Sequence, residues 1–199
     1  MGKRLVLLAL IFLPVFLPAQ NPDIRILRSI NSPQTLRSDK FFGLVSNSDA
    51  WLIFTIPAGI GTAGLIKHDD RLIRNACVTL AAATLDFGIT TALKYSINRD
   101  RPFITYPDIK KKSDGGSPSF PSGHTSGAFS VATSLSLAYP RWYIVAPAYT
   151  WAGTVGYSRM HLGVHYPSDV FIGALVGSGS AYLTYRINQK LLNSKNQKH

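Results

Sequence analysis

The chain has 199 residues, enough to bury one core and close to the usual size of a single domain. Its formal charge of +11 rests on 21 lysines and arginines against 10 acids, all of them aspartate, which points to an anionic partner. A lone cysteine excludes an intramolecular disulfide. The cations are scattered and come without a helix-turn-helix, RNP-like or zinc-finger pattern, so phosphate-bearing small molecules or lipid headgroups fit better than nucleic acid.

Residues 1–19 read as a secretory signal, with Lys3 and Arg4 as a basic start, an apolar run from Leu5 to Leu17 and Ala19 at a possible cut. Leu17 is a poor residue three positions before a cut, so a retained signal anchor is the rival reading. Residues 20–50 place Ile24, Ile26, Leu27 and Ile30 among Arg25 and Arg28, the pattern of an amphipathic surface segment. From 51 to 190 the chain reads as one domain, with apolar helical stretches at 51–66, 76–93, 143–157 and 170–185 and a weaker one, rich in Ser, Ala and Thr, at 127–139. Residues 191–199 form a polar tail. No strand-like alternation and no internal repeat stands out, so the expected fold is all-α, a bundle of five to six main helices.

A transmembrane bundle is expected, with a soluble periplasmic protein as the alternative. Sixteen helical residues span about 24 Å against a hydrocarbon core of about 30 Å, which is short. Mean hydropathy is only +0.09. On the other side, the stretch 51–66 carries no charge and so lacks the polar stripe of a soluble surface helix, and Gly173 and Gly177 have the spacing of close helix packing. Lys67, Arg71 and Arg74, with Arg186, Lys190, Lys195 and Lys198, suit a cytoplasmic side. Arg25, Arg28, Arg37, Lys40, Lys94, Arg99, Arg101, Lys110, Lys111, Lys112 and Arg159 fall on the other, so the cation count leaves orientation open. Helix parity places segments 94–124 and 158–169 on one side, the extracytoplasmic one if the 51–66 helix enters from outside. The expected location is the inner membrane with those segments on its periplasmic face.

These two segments hold the candidate chemistry. Lys94 is followed by Arg101 and Pro102; Pro121, Ser122, Gly123 and His124 form a turn leading into an apolar stretch; Ser158 and Arg159 precede His165, and Asp169 follows it by four. Cleaving a phosphate ester requires charge against the non-bridging oxygens, which Lys94, Arg101 and Arg159 supply without reorganisation. Ser122 and Gly123 at a helix start add a hydroxyl and backbone N–H donors. A neutral imidazole at His165 can attack phosphorus if its other nitrogen keeps a proton held by an acceptor, and Asp169 is one helical turn away if a helix begins at Pro167. His124 is then free to protonate the leaving oxygen and to activate water.

The three blocks resemble the signature KX6RP, PSGH, SRX5HX3D of the type 2 phosphatidic acid phosphatase (PAP2) and vanadium haloperoxidase superfamily, matched over positions 94–169 without a gap. The resemblance implies a helical fold, phosphate binding by Lys94, Arg101, Ser122, Gly123 and Arg159, acid/base action by His124, attack by His165 with a phosphohistidine intermediate, support from Asp169, and no catalytic metal or other cofactor. It also implies a phosphorylated lipid such as phosphatidic acid, an isoprenyl diphosphate or a lipid A phosphate as substrate. A soluble periplasmic acid phosphatase, a vanadate-binding peroxidase and a non-catalytic anion-binding membrane protein are the alternatives.

Other residues carry plainer expectations. His161 is read as a packing or hydrogen-bonding residue, and His68 with Asp69 and Asp70 as an interhelical loop rather than a metal cluster. Asp86, inside an apolar stretch, is read as a structural hydrogen-bonding group. Arg99 is read as either a phosphate ligand or an ion-pair partner, the run Lys110 to Lys112 as a solvated loop, and Cys77 as a small buried hydrophobe.

Overall fold

A computed structural model describes residues 21–31 and 35–196. The expected signal at 1–19 and the last three residues of the polar tail lie outside the described residues. Every regular element among those described is a helix: α1 (Pro22–Ile30), α2 (Leu36–Lys67), α3 (Asp70–Ile97), a short α4 (Pro102–Thr105), α5 (Gly123–Ala138), α6 (Trp142–His161) and α7 (Pro167–Asn196).

Helix α1 is capped by Asn21, whose side chain accepts the Asp23 N–H at 3.0 Å, and begins with a proline at a position where no N–H is needed. Its buried Ile24 and Leu27 pack on Ile109 and Tyr166, so the amphipathic face expected for this region closes onto the body of the protein. Residue 50 lies within the next helix. Thr35 caps α2 through the Ser38 N–H at 3.3 Å, and the helix then continues for 32 residues, with Pro57 inside it. Helix α3 runs for 28. At 1.5 Å per residue these two extend about 48 and 42 Å, which corrects the expectation of spans near 24 Å.

The turn between them is the interhelical loop expected at His68, Asp69 and Asp70. His68 closes α2 in the left-handed conformation at φ 51°, and Asp69 caps α3 by accepting the Arg71 N–H at 2.8 Å and the Leu72 N–H at 3.2 Å.

The weakest apolar stretch of the sequence becomes the central helix. α5 contacts α2, α3, α6 and α7, and Ala128, Val131 and Ala132 are fully buried in it. Its small side chains make this possible, because α7 presses its glycines directly on the α5 backbone. A Cβ on Gly173 would lie 2.7 Å from the Ser122 carbonyl oxygen, and one on Gly177 would collide with the Ser126 carbonyl.

The outside of the bundle is apolar. Trp51, Phe54, Ile66, Phe87, Trp142 and Phe171 are all more than 60 % exposed, far more large apolar surface than a water-soluble monomer presents. Two helical segments, Leu36–Lys67 and Asp70–Thr105, are long and apolar enough to cross a membrane. Cys77 lies on this outer surface and is exposed, correcting its expected burial. Its neighbour Ala76 faces the core at 5 % exposure, and one residue along a helix turns the side chain by about 100°, which carries Cys77 outward. The motif loops emerge together at one end, while Arg71 and Arg74 line a cleft with Tyr185, Asn188 and Gln189 near the other.

Candidate active site

Six parts of the chain converge on one pocket of about 220 Å³ lined by Lys94, Arg101, Asp114, Gly115, Gly116, Ser117, Gly123, His124, Arg159 and His165, the loop 114–117 among them. Lys94 comes from the last turn of α3 and Arg159 from the last turn of α6. Arg101 comes from the segment after α3, Gly123 and His124 open α5, and His165 lies in the short turn before α7. That turn is made possible by Gly163 at φ 73°, where any Cβ would run into the Lys110 carbonyl.

The cations are fixed before any ligand arrives. Arg101, 5 % exposed, donates from Nε to the Ser117 carbonyl at 2.9 Å and from Nη1 to the Val164 carbonyl at 2.9 Å. Lys94 Nζ donates to the Pro118 carbonyl at 2.7 Å, and Arg159 Nη1 donates to Ser46 Oγ at 2.5 Å. Three positive side chains thus surround one small space with most of their geometry already set, as an anion site requires.

His165 has its two nitrogens in different surroundings. Nε2 faces Arg101 Nη1 at 3.4 Å, and because a guanidinium only donates, Nε2 presents its lone pair to the pocket. Nδ1 faces Asp169 Oδ2 at 3.5 Å. Burial holds the imidazole down at about 4 from its ordinary 6.5; Asp169 pulls it up and the Arg101 and Arg159 charges push it further down. Across the neutral range the ring is uncharged, the form in which an imidazole nitrogen can act as a nucleophile.

Asp169, fully buried in the first turn of α7, is held on three sides. Ser119 Oγ donates to Oδ2 at 2.5 Å, the Tyr166 N–H donates to Oδ2 at 2.9 Å, and Arg99 Nη1 donates to Oδ1 at 2.7 Å. Arg99 also pairs with Asp23 of α1 at 2.8 Å, and Asp23 binds the Ser168 backbone N–H and hydroxyl. Of the two roles open to Arg99, the structure takes the ion pair: its charge faces carboxylates. Its guanidinium stacks on the Tyr166 ring at 3.8 Å.

Ser122 sits beneath the pocket. It is the N-cap of α5, its Oγ accepting the Thr125 N–H at 3.4 Å and sharing a 2.8 Å bond with Thr125 Oγ1, while its own N–H donates to the Asp169 carbonyl at 3.0 Å. What reaches the pocket here is the start of the helix: Gly123 and His124 lie in the first turn, where backbone N–H groups have no intrahelical acceptor and favour an anion.

The remaining residues resolve plainly. His161 packs on Phe42 with ring centroids 4.4 Å apart and bonds Asp39 at 2.8 Å. Asp86 accepts the Ser126 hydroxyl at 2.8 Å, tying α3 to α5. The run Lys110 to Lys112 is not a freely solvated loop. Lys112 is 13 % exposed and pairs with Asp39 at 2.9 Å, because the loop folds back on α2 and onto the Leu162 carbonyl, and Lys111 lies 5.0 Å from the Phe103 ring centre.

Residue spacing did not reveal Ser46 and Asp49 of α2, Asp23 of α1, or Ser117 and Ser119. Asp49 lines a second, larger groove of about 650 Å³, together with Ile53, Phe54, Leu80, Ala83 and Phe87. This apolar groove shares Lys94, Ser117, Gly123 and His124 with the anion pocket, so the two spaces are continuous. A charge just ahead of an uncharged helical stretch was the available signal for Asp49.

Comparison with known proteins agrees with this geometry. The chain is 33% identical over 94 residues to a lipid A 4'-phosphatase of Bacteroides thetaiotaomicron, covering 47% of this chain and 42% of that one. It is 37% identical over 133 residues to a lipid A 1-phosphatase of Porphyromonas gingivalis, covering 65% and 27%. It is 37% identical over 98 residues to an undecaprenyl-diphosphatase of Sulfolobus acidocaldarius, covering 47% and 46%. The matched stretches thus span less than half the length of each of these relatives. Among solved structures, Aquifex aeolicus LpxE superposes with a TM-score of 0.73 at 27% identity, covering 84% of this chain and 97% of that one. A transmembrane PAP2 type phosphatidylglycerolphosphate phosphatase from Bacillus subtilis shares the fold with a TM-score of 0.75 at 23% identity, covering 96% and 98%. The model of the PAP2 superfamily matches residues 75–192, more than half of the chain and all three sequence blocks, and the chain belongs to that superfamily.

Proposed function

We propose that the protein is a phosphatase of phosphorylated lipids, cleaving a monoester or diphosphate through a phosphohistidine at His165. The observation that carries this reading is the junction of two spaces: a pocket ringed by Lys94, Arg101 and Arg159 opens into an apolar groove between α2, α3 and α5. A phosphoryl group fits the first and a hydrocarbon chain the second.

In the chemical step, the lone pair of His165 Nε2 forms the P–N bond while the bond from phosphorus to the leaving oxygen breaks. The leaving oxygen keeps that bond's electron pair and takes a proton from His124. Asp169 holds the Nδ1 proton and stabilises the charge that develops on the ring, as the aspartate of a hydrolase triad does. Lys94, Arg101, Arg159 and the first N–H groups of α5 bind the three non-bridging oxygens throughout. Water then attacks phosphorus, His124 takes its proton, and the P–N pair returns to Nε2. Asp114 at the rim and the uncharged Ser117 leave the pocket strongly positive, which suits a dianionic group.

The apolar exterior and the two long apolar helices support a protein embedded in a membrane, with substrate entering the groove from the lipid phase. We place the pocket on the periplasmic face of the inner membrane, since Arg71, Arg74 and Arg186 then lie on the cytoplasmic side.

The test is phosphate release by the purified chain from phosphatidic acid, lipid A, undecaprenyl diphosphate and p-nitrophenyl phosphate. Turnover of at least one lipid is expected, abolished in His165→Ala, inhibited by vanadate and indifferent to EDTA. Full activity of His165→Ala would overturn the mechanism. Release of the protein from membranes by carbonate would overturn its embedding.

A further inference from the structure

The mechanism asks His124 to carry a proton in a place that opposes it. Lys94 from α3, Arg101 from the segment after it, Arg159 from α6 and His165 from the turn before α7 line the same pocket. Asp114 is at the exposed rim, and the charge of Asp169 is directed at His165, Arg99, Ser119 and the Tyr166 N–H. One carboxylate faces His124 from the remaining element. Asp49 of α2 places Oδ1 at 3.8 Å from His124 Nε2. Asp49 is 5 % exposed, and that oxygen has no hydrogen-bond partner. A buried carboxylate oxygen left without a donor is costly, and the imidazole edge in front of it is a donor within reach, beside the Arg159 charge that also acts on Asp49. The register of α2 is fixed one turn earlier, where Ser46 accepts Arg159 Nη1, so one helix steadies a phosphate-binding cation and reaches the acid.

We propose that Asp49 is the positioning carboxylate of His124, as Asp169 is for His165. Asp49 holds the Nε2 proton, which leaves Nδ1 on the opposite edge of the ring as the nitrogen that serves the substrate. The Nδ1 proton passes to the leaving oxygen; His124 becomes neutral with its Nε2 proton still against Asp49; and Nδ1 later receives a proton from the attacking water. The negative charge of Asp49 offsets the three cations in the protonated state. The 3.8 Å gap closes by about 1 Å when the pair forms a hydrogen bond, the tightening expected once substrate is bound. This inference rests on the phosphatase reading and adds to it a residue outside the three sequence blocks and outside the stretch matched by the family model.

Leaving-group dependence separates positioning of an acid from mere packing. An alkyl ester such as phosphatidic acid needs its leaving oxygen protonated, whereas p-nitrophenolate departs without help. With the purified full chain, Asp49→Asn should lower kcat/KM on phosphatidic acid by about 10²-fold and on p-nitrophenyl phosphate by less than about tenfold. The alkaline limb of the pH–rate profile should move to lower pH, and the loss should vanish in a His124→Ala background. Equal losses on both esters with an unmoved alkaline limb overturn the proposal while leaving the phosphatase reading intact. A wild-type chain that cleaves neither ester overturns the phosphatase reading, and the proposal with it. Spectra of ¹⁵N-histidine-labelled wild type, assigned with His124→Gln, read the same contact without disturbing Asp49. A neutral His124 protonated on Nε2 is expected, and one protonated only on Nδ1 overturns the proposal.

Discussion

Gly115 belongs to none of the three sequence blocks, yet Arg101 depends on it. A Cβ built there would stand 2.8 Å from Arg101 Cζ and 2.8 Å from Nη1, against the 3.5–4.0 Å at which carbon atoms ordinarily rest. The Ser117 and Val164 carbonyls each hold the Arg101 guanidinium at 2.9 Å, so it can move into the pocket only by giving up those bonds. In Gly115→Ala either the loop or the guanidinium must move by about 0.7–1 Å, and a shift of that size carries the two bonds beyond about 3.2 Å. A catalytic group displaced by about 1 Å costs on the order of 10²-fold in rate. We expect kcat/KM for phosphate release to fall by about 10²-fold in Gly115→Ala, with the thermal midpoint little changed, since the loop lies at the rim of the pocket and buries no core. Assayed in detergent against p-nitrophenyl phosphate and a lipid phosphate in parallel, the loss should appear on both, because Arg101 serves the phosphoryl group common to them. A well-folded Gly115→Ala within about threefold of wild type would refute the reasoning that a rigid Arg101 is required.

Arg99→Ala removes both ion pairs at the back of the site and leaves Asp169 with Ser119 and the Tyr166 N–H; a loss of about 3 kcal/mol in stability and a lower kcat are expected, with competitive inhibition by inorganic phosphate unchanged. Calorimetry and inhibition kinetics check these separately, and a raised phosphate inhibition constant would make Arg99 a ligand after all. The depressed His165 predicts pH behaviour of definite sign. Above about pH 4 the free enzyme holds the neutral nucleophile, so this group should add no acid limb to kcat/KM until pH approaches 4. Between 6.5 and about 4 the unfolded chain binds a proton that the native chain does not, so stability falls as pH drops through that window, by about 3 kcal/mol in total, and urea titrations at pH 7 and pH 4.5 should show most of it. Gly177→Ala drives a methyl into the Ser126 carbonyl and should cost about 1–3 kcal/mol by forcing α7 off α5, read as a lower thermal midpoint.

Helix existence was legible where apolar runs were long, and the segments 76–93, 143–157 and 170–185 sit inside α3, α6 and α7. Helix length was not. Residues 36–50 of α2 are polar because one face of those roughly four turns works as the wall of the site: Asp39 binds His161 and Lys112, Ser46 binds Arg159, and Asp49 faces His124. A pattern search tuned to apolar stretches reads such residues as loop or surface. The rank of α5 was misleading for a related reason. Low hydrophobicity reads as exposure, whereas here Ser126, Ser130, Ala128 and Ala132 are buried because small side chains let four other helices approach the backbone closely.

The site divides along the same physical line. Residues proposed to touch the phosphoryl group must be of particular types at particular spacings, and the spacing from Lys94 to His165 displays them in one pass. Residues that act through those groups are free to come from anywhere the fold brings them. Arg99 and Ser119 bind Asp169 from two segments, Asp23 holds Arg99 from a third, and the contact between Asp23 and Asp169's neighbour Ser168 joins residues 145 positions apart. Ser122 crosses the line in the opposite direction. Its hydroxyl caps α5, which aims the amides of Gly123 and His124 at the pocket, so in the proposed phosphate site it acts through the helix it starts. Three sequence blocks therefore describe the inner surface of the pocket, and the rigidity that makes that surface useful is built from α1, α2 and the loop before α5.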